Sequence, residues 1–211
     1  TQNQALSAIA FFWKHVLNVD LGEIGDFEYA KRPKRLPVVL TKNEVDAVLG
    51  KLSGTNELMA GLLYGAGLRV SECVRLRVKD IEFEKGTITV RDSKGQKDRV
   101  TVLPQVYSPQ LQEHLKKVRS MYDSDRKAGV DGVYIWPSIQ RKYPNLSTEW
   151  GWQYVFPAAT YSTDPRSGKV RRHHMRQNTL QRNVKRASRE AGVVKDVSCH
   201  TLRHRFATHL L

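Results

Sequence analysis

The sequence predicts a mainly helical α+β domain with one small antiparallel sheet, preceded by a single orphan helix. Three observations carry that prediction. Apolar residues recur at helical spacing over most of the chain. Between Ile81 and Leu103 the pattern changes to short β-like runs joined by glycine turns. A stretch rich in proline and cations separates the first helix from everything that follows.

The first helical pattern covers residues 5–17, where Leu6, Ile9, Ala10, Trp13, Val16 and Leu17 fall on one side. Residues 1–27 are expected to be the terminal helix of a domain whose larger part lies upstream. Glu28-Tyr29-Ala30-Lys31-Arg32-Pro33-Lys34-Arg35-Leu36-Pro37 is extended in character, and residues 28–40 are taken as a basic linker. Thr41 to Glu44 has the spacing of a capping box, followed by Val45, Val48, Leu49 and Leu52. Helical stretches continue at Glu57–Tyr64 and through Val70, Val74 and Leu76, with Gly65-Ala66-Gly67 between them. Ile81, Phe83, Thr87–Arg91 and Arg99–Leu103 read as strands. Pro109–Tyr122, Gln177–Ala191 and Ser198–Leu211 read as helices, Val133–Trp136 as a further short strand, and Ser138–Gly168 as irregular and aromatic-rich.

Composition narrows the function. At 211 residues the chain is one large domain, or one domain with a piece of another. No apolar run approaches the ~18 residues that a membrane span needs, and the start lacks the pattern of a secretory leader. Cys73 and Cys199 are too few for a disulfide framework or a cysteine-rich zinc module, and they fit a reducing cytoplasm. Thirty-five Lys and Arg against 21 Asp and Glu give a net charge of +14. A field of that sign attracts polyanions, so nucleic acid is the leading partner. A membrane surface would require a basic amphipathic helix with a bulky apolar face or a lipidation signal, and neither is present.

Three segments can carry chemistry. In Gly65-Ala66-Gly67-Leu68-Arg69-Val70-Ser71-Glu72 the glycines permit a sharp turn that sets Arg69 at a helix start, where its fork suits a pair of phosphate oxygens; Glu72 is spaced to hold the guanidinium. The plain alternative is a helical turn with a surface arginine. In Ser93-Lys94-Gly95-Gln96-Lys97-Asp98-Arg99, Lys94 at a hairpin tip can reach an ester oxygen and donate a proton; the alternative is a solvated basic turn. In His200-Thr201-Leu202-Arg203-His204, one helical face carries His200, Arg203 and His204. A zinc-protease site would place Glu after the first His, and Thr201 stands there instead. A helix packing its histidines into a polar core is the remaining alternative. Together, two arginines, a lysine and a histidine suit a pentavalent phosphorane, without metal or cofactor.

These motifs, in this order, with Ala207-Thr208-His209-Leu210-Leu211 behind them, resemble the catalytic domain of tyrosine recombinases, the phage-integrase family, over Leu36 to Leu211. The resemblance implies that Arg69 is the first catalytic arginine, Lys94 the leaving-group acid, and His200 and Arg203 the His-x-x-Arg pair, with Glu72 and His204 in support. It implies that residues 41–211 form the catalytic domain and that the reaction is DNA cleavage and rejoining through a 3′-phosphotyrosyl link. The intact enzyme would work as a homotetramer on two DNA sites, in a bacterial, nucleoid-associated and cytoplasmic setting. The family's nucleophilic tyrosine lies beyond His-x-x-Arg, whereas Tyr64, Tyr107, Tyr122, Tyr143, Tyr154 and Tyr161 all precede it. The piece as given is therefore expected to lack cleavage activity and to be a monomer without DNA. In that state it would behave as a DNA-binding module.

Residues 147–175 resemble the extra insertion of integron integrases, which recombine gene cassettes at folded single-stranded hairpins as well as duplex sites. Trp150, Trp152, Pro165, His173 and His174 are suited to hold an extrahelical base there; the alternative is that the tryptophans are core. A Xer-like or phage-type enzyme acting on duplex sites would lack this segment. Arg166 to Arg189 carries nine Lys and Arg and no acid. Lys97, Arg99, Arg171, Arg172, Arg176, Arg182 and Lys185 are expected to track DNA phosphates.

Overall fold

The computed structural model describes residues 2–19, 38–93 and 97–209. Contacts divide the chain into two units, Thr1–Pro37 and Val38–Leu211. In the first, helix α1 (Gln2–His15) has no buried residue, and Ile9, Phe11, Phe12 and Trp13 face outward. Three residues past its end, Asn18 takes a left-handed conformation (φ 52°) that asparagine tolerates better than most residues. Most of the predicted linker lies outside the described residues.

The second unit begins with α2 (Lys42–Leu49). Its first turn is closed by the predicted capping box: the Thr41 hydroxyl accepts from the Glu44 amide at 3.2 Å, and the Glu44 carboxylate accepts from the Thr41 amide at 2.7 Å. Helices α3 (Gly54–Gly65), α4 (Val70–Arg75), α7 (Gln177–Glu190) and α8 (Cys199–His209) pack with α2 around one core. Leu58, Met59, Leu62 and Leu63 of α3 are buried, and so are Leu180, Val184 and Ala187 of α7 and Leu202 of α8. Truncating any of these leucines to alanine removes about 2–5 kcal/mol. The core therefore fixes α8 against α3 far more strongly than any surface contact does.

A three-stranded antiparallel meander follows: β1 (Ile81–Glu82), β2 (Thr87–Ser93) and β3 (Lys97–Val102). Ile88 and Val90 face the core, while Val100 and Val102 stay exposed on the edge strand. The register shifts between Val90 and Ser93, immediately before the hairpin tip. The long helix α5 (Ser108–Lys127), the short α6 (Pro137–Lys142) and a two-stranded ribbon of β4 (Ser162–Thr163) and β5 (Val170–Arg171) complete the unit.

The strand expected at Val133–Trp136 does not form. Arginines take the carbonyls that a neighbouring strand would need. Arg171 donates to the carbonyls of Gly132 and Val133 at 3.1 and 2.9 Å, and Arg77 donates to that of Tyr134 at 3.0 Å.

Candidate nucleic-acid interface

The site starts from a turn. α3 stops at Gly65, Gly67 takes φ +62°, and α4 restarts with Arg69 as its N-cap. Glu72, one turn on, accepts from the Arg69 amide at 2.7 Å and from its guanidinium at 2.6 Å. From β3, Arg99 meets the same carboxylate with both terminal nitrogens, at 2.9 and 2.7 Å. Burial pushes the Glu72 carboxyl up, but the bonds from Arg99 and from the amide and side chain of Arg69 more than offset this and bring it down to about 2. Thr101 ties β3 to the same turn by donating to the Ala66 carbonyl at 2.8 Å. Glu72 thus bonds Arg69 through both its amide and its guanidinium.

α8 begins with a reciprocal pair, in which the Ser198 amide donates to the Thr201 hydroxyl and the Thr201 amide to that of Ser198, both at 3.2 Å. That start turns Cys199, Thr201 and Leu202 inward and leaves His200, Arg203 and His204 on the outer side. The two imidazoles meet Nε2 to Nε2 at 2.8 Å, so one ring carries the proton and the other accepts it. Burial, then His204, Arg203 and Arg69, hold the His200 imidazole below its usual range. Burial, then Arg69, also lowers Arg203, with Glu72 acting in the opposite sense. The positive charge of Arg69 therefore reaches both His200 and Arg203, and an oxyanion entering among them would offset it. Lys94 lies outside the described residues, and of Lys97 only the backbone within β3 is described.

The aromatic segment makes a second feature. Trp150, Gly151 and Trp152 form a single 3₁₀ turn. Trp150 faces α5, with its ring 5.5 Å from Tyr122 and the Arg119 guanidinium 5.0 Å above it. Trp152 packs on Val133, Ile135 and Tyr154, and the Lys79 ammonium sits 2.9 Å from its ring centroid. Burial, then Arg91, bring that ammonium down to about 8. The rings of His173 and His174 lie 4.1 Å apart, tilted by 55°, and 5.5 and 5.2 Å from the Tyr154 ring. Burial brings the His174 imidazole down to about 4. The structure thus gathers Trp152, His173 and His174 around Tyr154. Trp150 turns to α5, and Pro165 is exposed in the β4–β5 turn.

Sequence reasoning missed Arg77, which organises this wall. Its guanidinium donates to the carbonyls of Trp152 and Tyr134 at 2.6 and 3.0 Å and to the Tyr154 hydroxyl at 3.2 Å. It also lies 3.8 Å from the Tyr154 ring centroid. No local motif marks it, because its partners are 57 to 77 residues away.

The basic residues divide into two sets. α7 buries Leu180, Val184 and Ala187, so its far side presents Arg182, Lys185, Arg186 and Arg189 to solvent, with Arg176 at the N-cap. Lys185 also meets Asp196 at 3.0 Å, both well exposed. Arg171 and Arg172 depart from their expected place on DNA phosphate, because their guanidiniums turn inward. Arg171 is buried on the Gly132 and Val133 carbonyls, with Asp164 at 3.7 Å. Arg172 grips Asp125 with two nitrogens, at 2.6 and 2.8 Å, and caps the Ala158 and Ala159 carbonyls. Arg99, placed in the same set by sequence, has Glu72 as its partner instead. Among the described residues, no group of three or more His, Cys, Asp or Glu could hold a metal ion.

Comparison with known proteins shows the family. Residues 38–211 match the model of the phage integrase family. An integrase/recombinase of Escherichia coli is 48% identical over the whole chain, which spans 63% of that relative's length. The tyrosine recombinase XerA of Pyrococcus furiosus is 33% identical over 86% of the chain and 50% of its own length. Among solved structures, that of XerA recombinase superposes with a TM-score of 0.54 at 24% identity, covering 99% of this chain and 61% of that one. The Tn1549 transposon integrase in complex with transposon right end DNA superposes with a TM-score of 0.60 at 17% identity, covering 99% and 65%. At those identities the structural likeness speaks for the fold. The sequence matches and the shared fold establish the chain as a member of the phage integrase family, related to the tyrosine recombinases.

Proposed function

We propose that this chain is the catalytic part of an integron-type tyrosine recombinase that cleaves and rejoins DNA through a 3′-phosphotyrosyl link. The observation that carries the reading is the packing of the Gly67 turn, which leads into Arg69, against Phe206 of α8, the helix that carries His200 and Arg203; the charge of Arg69 reaches both, and the nearby Glu72 is already engaged by two arginines. Such a corner clamps the non-bridging oxygens of a phosphodiester and stabilises the charge that builds on them in displacement. His200, held below its usual range by burial and its cationic neighbours, can donate or accept a proton there. Lys94 is the residue proposed to protonate the leaving oxygen. Arg176, Arg182 and Lys185 on the open side of α7 track the backbone away from the reacting phosphate. The intact enzyme would act as a tetramer on paired sites.

The integron reading rests on the wall of Trp152, His173 and His174, with Pro165 in the same segment. Imidazole and indole faces suit a base extruded from a folded hairpin. Lys79 already covers one face of Trp152 and must move for a base to stack on that face; His173 is the exposed member of the set.

The test compares affinities, at one salt concentration, for a hairpin with extrahelical bases, the same hairpin without them, and a duplex of equal length. The bulged hairpin is expected to bind about tenfold more tightly, equivalent to one base stack of ~1–3 kcal/mol. Trp152→Ala with His174→Ala should abolish that preference and leave duplex binding in place. Equal affinity for all three probes removes the integron reading and leaves a recombinase for duplex sites.

A further inference from the structure

The corner around Glu72 holds more charge than a simple clamp needs. One carboxylate, almost wholly buried, accepts four hydrogen bonds: two from Arg69, through its amide and its guanidinium, and two from Arg99. Both guanidiniums remain about one-third exposed. With Arg99 in place, one negative charge faces two positive ones, and the corner keeps a net positive charge for an incoming anion. Without Arg99, the same carboxylate would be free to close bidentately on Arg69 and neutralise it. A bidentate guanidinium–carboxylate pair is the strongest competitor a phosphate can meet.

We infer that Arg99 is a positioning residue: by bonding to both oxygens of Glu72 it limits that carboxylate to a single bond with the Arg69 guanidinium and keeps the rest of the guanidinium available to a phosphodiester. It does not itself grip the DNA. Its strand supports this role, because Thr101, two residues on, fixes β3 to the turn that carries Arg69. The bond network also explains why Glu72 stays ionised although buried, with Arg99 the strongest of the groups that lower it.

The inference rests on the phosphate-binding reading of the Arg69 corner, and the experiment separates the two. Affinity for a duplex is measured for the wild-type chain, Arg99→Ala, Arg99→Lys and the double variant Arg99→Ala/Glu72→Gln, each first shown to unfold cooperatively. Arg99→Ala is expected to lose about tenfold in affinity, on the scale of one charged contact. The double variant is expected to recover to within about threefold of wild type, because no carboxylate remains to sequester Arg69. Arg99→Lys, with one ammonium for two oxygens, should fall between. A direct phosphate contact predicts the opposite: the double variant stays as weak as Arg99→Ala, and the inference is then wrong. Carbon-13 titration of the Glu72 carboxyl supplies an independent readout, with its midpoint rising toward 4.5 in Arg99→Ala; an unmoved midpoint overturns the inference. A wild-type chain that does not bind the duplex overturns the phosphate reading, and the titration still decides the Arg99–Glu72 pairing.

Discussion

Replacing Gly67 by alanine is expected to destabilise the chain by about 2–4 kcal/mol, the sum of a left-handed backbone penalty and overpacking. The glycine has φ +62°, and a Cβ there would stand 2.4 Å from the Phe206 ring. Phe206 is three residues beyond Arg203 on α8, and Gly67 is two residues before Arg69 on the opposing turn. The same close approach that packs the helices therefore sets the spacing of the two arginines. Gly86→Ala is the control: its φ is +61°, but nothing lies within 4 Å of the added carbon. It should lose only about 1 kcal/mol, from backbone strain alone. Urea unfolding of both variants isolates the contribution of Phe206. The DNA affinity of Gly67→Ala should fall even where the chain remains folded. Equal losses at the two glycines would show that the Phe206 contact does not matter.

Arg77→Met is expected to cost about 3 kcal/mol, within the range for breaking a buried charged network. Two opposing effects meet here. Removing a buried guanidinium relieves its desolvation, which already lowers its affinity for the proton. Against that, the carbonyls of Trp152 and Tyr134 and the Tyr154 hydroxyl lose their donor, and each buried group left unpaired costs about 1–3 kcal/mol. Three groups outweigh one relieved charge. The loss should concentrate in the aromatic wall, so limited proteolysis between residues 132 and 172 should accelerate more than global unfolding does. A loss below about 1 kcal/mol, with unchanged proteolysis, would mean that Arg77 does not hold the wall together.

Local chemistry was readable in the sequence where partners are close along the chain. The Thr41–Glu44 capping box, the break at Gly65–Gly67, the Arg69–Glu72 pair and the amphipathic α7 each involve residues within one or two turns, and the structure contains all of them. Charge counting failed where the partner is remote. Arg171 and Arg172 belong to a run without acids, so sequence reasoning turned them outward. Their partners, the Gly132 and Val133 carbonyls and Asp125, come from segments 38 to 47 residues earlier. The tryptophans show the same limit in another form. Trp150 and Trp152 are nearly adjacent, yet one packs against α5 and the other against Tyr154 and Lys79. A run of apolar residues at Val133–Trp136 has strand character, but arginine side chains occupy the Val133 and Tyr134 carbonyls.

The most direct measurement is the salt dependence of duplex affinity for the wild-type chain and for Arg69→Ala/Arg203→Ala, with Lys127→Ala as a control on exposed α5. Each phosphate neutralised contributes about 0.9 to the slope of log affinity against log salt. The double variant is expected to bind at least tenfold more weakly and to lose about one unit of slope, while Lys127→Ala changes neither. A double variant that keeps both the affinity and the slope of the wild type would contradict the assignment of the Arg69–Arg203 corner as the phosphate site.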